Sequence, residues 1–114
     1  MRSVCLNNIG IAYRQLGDLR TAISWYGRVI ALKPAQKDLV GAYYNRSRAY
    51  ESSKQHDLAI RDFSSALELD PECIDAYFER GAIYGALGQH GLAERDLQNA
   101  RKRQDSPEGK RLAH

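Results

Sequence analysis

Apolar positions recur along this chain at three-and-four spacing, the mark of amphipathic helices. Residues 3–15 set Leu6, Ile9, Gly10 and Tyr13 on one stripe, and Leu16-Gly17-Asp18 interrupts it. Glycine there permits the positive φ that closes a helix, and Asp18 is suited to cap the next one. A helix over about 19–32 carries Leu19, Ala22, Ile23, Tyr26, Val29 and Ile30 on its apolar side until Pro34 stops it. The pattern next predicts a helix over about 39–53, with Asp38 as N-cap and Tyr43, Ser47 and Tyr50 inward. It could be longer than its equivalents, or the linker before it could bulge. A helix over about 57–69 follows, with Leu58, Ala59, Phe63, Ala66 and Leu67 inward. The last two helices carry Tyr77, Gly81 and Tyr84, then, after a break at Leu87-Gly88, Leu92, Ala93, Leu97 and Ala100 over about 91–104. Six helices in three antiparallel pairs result, with the short connections that helical hairpins require.

One ladder of residues recurs. Tyr50, Ala59, Phe63, Ala66 and Pro71 repeat upstream as Tyr13, Ala22, Tyr26, Val29 and Pro34, and downstream as Tyr84, Ala93, Leu97 and Ala100. The step from Ala59 to Ala93 is 34 residues and that from Pro34 to Pro71 is 37, so three residues are added near Ala35–Asp38. Small residues at Gly10, Ser47 and Gly81, and at Ala22, Ala59 and Ala93, let paired helices approach closely. The aromatics of the ladder fill the space that remains. Packing accounts for all of these positions.

The order and spacing of the ladder resemble the tetratricopeptide repeat, a 34-residue helix–turn–helix unit. The resemblance covers about residues 3–105, with repeats at about 3–36, 40–73 and 74–105, and leaves 106–114 as a flexible tail. It implies a single all-α domain, a right-handed superhelix (α-solenoid) of three repeats. The departures are the inserted residues, Ser47 for glycine, no glycine near Lys54, Val29 for alanine, and a last proline displaced to Pro107.

The resemblance also implies that the first helix of each pair lines a concave groove. The groove positions are then Val4, Asn7, Asn8, Ile11 and Arg14 in the first unit, and Tyr44, Asn45, Arg48 and Glu51 in the second. The third unit adds Phe78, Glu79, Ala82 and Ala86. Tyr44 and Phe78, one repeat apart, form an expected exposed aromatic pair. The residues expected to contact a peptide are Asn8, Ile11, Tyr44, Asn45, Arg48, Phe78 and Glu79. Relatives that clamp a C-terminal carboxylate use Lys, Asn, Asn, Lys and Arg. Here Asn7, Ile11, Asn45, Asp75 and Glu79 stand instead. Only Asn45 agrees, and Asp75 and Glu79 would repel a carboxylate. The third-unit wall suits a basic or neutral segment.

Composition refines this picture. The formal charge of +3 arises in the tail, because residues 1–100 hold 12 Lys/Arg and 12 Asp/Glu. Arg101, Lys102 and Arg103 fall where cations favour the negative end of a helix dipole. No basic face with interleaved aromatics marks a nucleic-acid partner, and no apolar run is long enough to span a bilayer. Cys5 and Cys73 form no CxxC motif, which suggests two free thiols in a reducing, cytoplasmic setting. His56 and His90 occupy equivalent turns, too far apart at roughly 10 Å to share a metal. No catalytic motif is visible, so neither enzyme chemistry nor a cofactor is expected. The expected partner is a protein or peptide. Self-association through the terminal helices is the alternative, and the chain could be a fragment of a larger protein.

Overall fold

The computed structural model describes residues 17–104. They form five helices: α1 (Leu19–Ala31), α2 (Gln36–Ser52), α3 (His56–Leu69), α4 (Ile74–Ala86) and α5 (His90–Gln104). No strand occurs among the described residues. The helix expected over 3–15 and the tail after Gln104 lie outside them, as do Asn8 and Ile11.

Local chemistry sets the helix ends. Gly17 takes φ +84° and the Asp18 carboxylate accepts from the Thr21 amide, capping α1 as expected. Gly88 closes α4 at φ +79°. Lys54 stands where the other turns have glycine and adopts the same left-handed conformation at φ +62°. A side chain there costs roughly 1 kcal/mol relative to glycine.

The three added residues enter a helix. α2 begins at Gln36, after Ala35 rather than after Asp38, and its 17 residues compare with 13 in α4. Asp38 lies in the first turn instead of capping it, where its charge still favours the positive end of the dipole. The added turn is held because the Gln36 side-chain amide donates to the Leu69 carbonyl at the end of α3.

Successive helices pack in order. α2 pairs with α3 and α4 with α5, while α1·α2 and α3·α4 are the seams between units. Ala22, Tyr26, Ala59, Phe63, Ala66 and Ala100 are fully buried, so these ladder positions form the core. Burying a side chain such as Phe63 contributes about 2–3 kcal/mol. Tyr44 meets Phe63 edge to face, with ring centroids 5.7 Å apart and planes at 68°. At Gly81 an added Cβ would lie 3.2 Å from the Asp96 Cβ, which accounts for the small residue there.

Leu92 is 42% exposed and Leu97 half-buried, on a side of α5 that no described helix covers. One expectation changes. Cys73 is buried and disulfide-bonded, so it is not the free thiol expected. Sequence spacing exposes local motifs such as CxxC and does not tell whether a cysteine outside such a motif is bonded. The thiol argument for a reducing compartment therefore lapses.

Candidate functional site

Side chains of α2 and α4 meet, through Arg48 and Glu79, at one wall. On α4, Asp75, Phe78, Glu79 and Ala82 share a face, and Phe78 is 36% exposed. On α2, Arg48 reaches across to Glu79 at 3.9 Å and lies 5.9 Å from the centre of the Tyr44 ring. Four of the seven expected contact residues, Tyr44, Arg48, Phe78 and Glu79, are therefore brought together.

Their exposure differs from expectation. Tyr44 is 4% exposed and Asn45 is fully buried, so the aromatic pair offers one accessible ring, that of Phe78. α2 has helices on both flanks and buries residues through most of its circumference, including Val40, Ala42, Tyr44 and Ala49. Asn45 turns its amide onto its own helix and donates to the Gly41 carbonyl at 2.9 Å.

The wall is acidic. Burial, then the charge of Glu79, pushes the Tyr44 hydroxyl up from 10.0 to about 12. Burial followed by Glu79 also raises Glu51, which Arg48 and His56 partly offset. Among the described residues, Glu51, Asp75 and Glu79 thus lie around one arginine, Arg48.

The sequence pattern of aromatics and small residues passes over four further residues. Arg46 grips Asp62 through two bonds of 2.6 and 2.9 Å, and Arg80 grips Asp96 through two of 2.8 and 2.7 Å. Both aspartates are almost completely buried. Each guanidinium also lies over two tyrosines of its own helix, Tyr43 and Tyr50 or Tyr77 and Tyr84, at 5.7–5.9 Å. The hydrogen bonding that each guanidinium donates to its carboxylate is the largest cause that raises Arg46 and Arg80 above the ordinary arginine value. Both pairs link a first helix to its own second helix, which marks them as fasteners rather than ligands for a partner. Their signal was available: 46 to 80 and 62 to 96 are the same 34-residue step.

His56 lies beside an open depression lined also by Lys54, Gln55, Asp57, Leu58 and Leu87. Among the described residues no helix is long and apolar enough to cross a membrane.

The comparisons agree with this architecture. A tetratricopeptide repeat matches residues 4–36, and a TPR repeat matches residues 47–88. No curated protein matches the chain. Among solved structures, the crystal structure of MamA protein superposes with a TM-score of 0.77 at 27% identity, over 85% of this chain and 51% of that one. The chain thus spans about half the length of that MamA chain. A MamA RS-1 double mutant aligns with a TM-score of 0.55 at 23% identity over 86% of this chain and 74% of its own, and bears on fold alone. Repeats of this kind typically serve as protein-interaction modules. The chain belongs to the tetratricopeptide repeat family.

Proposed function

We propose that the chain is a three-repeat, six-helix array over residues 3–105 that binds an extended peptide or short helix of a partner protein along the concave side of its first helices, without chemistry of its own. The observation that carries this reading is the α2–α4 wall, where accessible Phe78 lies beside the Arg48–Glu79 pair. Aromatic area with few rotatable bonds is held next to exposed charge, a combination suited to peptide capture. Asp75 and Glu79 disfavour a carboxylate-clamp mode and suit a basic or neutral segment. Asn8 and Ile11 would extend the same wall.

Tyr44→Ala is a poor test, because the ring is buried against Phe63 and its loss would cost about 3–5 kcal/mol of stability. Phe78→Ala with Arg48→Gln alters the accessible side of the wall without placing a fourth carboxylate beside Glu51, Asp75 and Glu79. The double variant is expected to fold and to lose at least tenfold in affinity for a captured partner peptide. Unchanged affinity sinks the groove assignment.

A second reading has its own observation. Exposed Leu92 and half-buried Leu97 leave an apolar side of α5 among the described residues, which favours self-association through the terminal helix. Mass measured by light scattering should then rise with concentration, and Leu92→Lys should abolish the rise.

A further inference from the structure

On the open side of α4, Phe78, Ala82 and Ala86 follow one another at four-residue spacing, all exposed. The stripe runs about 12 Å, roughly two turns of helix. Asp75 and Glu79 run beside it with the same step, and Glu51 on α2 lies near enough to Glu79 to feel its charge.

The array satisfies its interior carboxylates and leaves these three unsatisfied. Asp62 and Asp96 each accept two bonds from an arginine. Among the described residues, Glu51, Asp75 and Glu79 accept none. Arg48 stands 3.9 Å from Glu79, beyond hydrogen-bond distance. Partial burial has already taken some water from Glu51, and the charge of Glu79 opposes its own. A cation arriving between the two relieves both effects.

The backbone of an occupant meets a further constraint. An extended segment needs side chains that grip its amides and carbonyls. The two amide side chains of α2 and α4 donate elsewhere: Gln36 to the Leu69 carbonyl, and fully buried Asn45 to the Gly41 carbonyl. A helix satisfies its own backbone and brings only side chains to the surface. Its ridge of every fourth residue repeats at about 6 Å, the step of Phe78, Ala82 and Ala86. The two alanines also keep the floor low, so a helix axis can approach to about 8–10 Å.

We infer that the partner segment is an amphipathic helix with two lysines or arginines four residues apart, one beside Asp75 and one between Glu51 and Glu79, its apolar ridge lying on Phe78, Ala82 and Ala86. Glu51 and Glu79 then set the preference for a cation. This rests on the groove reading above and narrows it in charge and in backbone form.

The whole chain and two synthetic alanine-based helical peptides provide the test. One peptide carries leucines four residues apart beside arginines four residues apart, and the other has glutamates in place of the arginines. By titration calorimetry at low salt, the arginine peptide should bind at least about tenfold more tightly. Added salt should narrow that gap. Glu51→Gln and Glu79→Gln should each weaken the arginine peptide by about three- to tenfold and leave the melting temperature nearly in place, since an exposed ion pair contributes little. Glu79→Lys should turn the preference toward the glutamate peptide. A central proline, which breaks the helix and keeps the arginines, should weaken binding about tenfold. Equal affinity for the arginine and glutamate peptides overturns the inference, as do full affinity for the proline peptide and binding of neither helical peptide. Where a peptide binds and Phe78→Ala still weakens it, the groove reading survives such a result. Where Phe78→Ala changes nothing, the groove reading fails as well.

Discussion

The two seams between units obey one spacing but are fastened differently. At the α3·α4 seam, Arg80 holds Asp96 on its partner helix and also donates to the Ser64 hydroxyl of the preceding unit at 3.0 Å. At the α1·α2 seam the equivalent Arg46 faces Gly27, where an added Cβ would lie 3.7 Å from its Nη1. Trp25 stands in α1 where the later units place Asp62 and Asp96. The connectors differ too. Lys33 closes α1 at φ +49°, whereas the Asp70 carboxylate accepts from the Glu72 amide in a local turn. A hydrophobic ladder therefore fixes where helices meet, while the polar contacts differ from seam to seam.

The largest expected effect comes from breaking a fastener. Asp62→Ala and Asp96→Ala should each cost about 3 kcal/mol, because a largely buried guanidinium loses its partner. Asp96→Ala should cost more and should also speed amide exchange in α3, since it frees Arg80 from its place beside Ser64. Equal urea midpoints for the two variants would contradict the asymmetry.

The seams can also be exchanged. Gly27→Ser supplies the missing hydroxyl and a better helix former, and should raise stability by about 1 kcal/mol. Ser64→Gly should lower it by a similar amount. Loss of stability in Gly27→Ser would show that the close approach, rather than the absent bond, selects glycine.

A smaller effect separates the wall from the rest of the second seam. The Tyr44 hydroxyl is neutral in the fold up to about 12 but ionises near 10.0 once unfolded. Its contribution is thus complete below pH 10 and is lost as pH rises toward 12. Tyr44→Phe should flatten that alkaline limb in a thermal-melt series. Smallest is Lys54→Gly in the hairpin between the seams, which should relieve the left-handed strain and add up to about 1 kcal/mol in a denaturant titration.

The ladder made much of the fold legible, because Ala22, Tyr26, Ala59, Phe63 and Ala66 report packing through size alone. Lengths were less legible. Three residues near Ala35 could enter a loop or a helix, and the choice rests on the bond from Gln36 to Leu69, contributed by a residue 33 positions away. Exposure at the wall was misjudged for a related reason. Tyr44 and Asn45 occupy groove positions by register, yet a central helix buries a wider arc than register predicts. The arginine–aspartate fasteners repeat as regularly as the aromatics and were missed because charged residues at helical spacing are ordinarily solvated.

Arg80 touches three consecutive helices at once, through Tyr77 and Tyr84, Asp96, and Ser64. In mechanical terms it is a joint that couples three helices, whereas Arg46 bonds within its own pair and only packs beside Gly27 of α1. A pull along α3 to α5 loads one side chain at two places, so losing Arg80 would slacken both together.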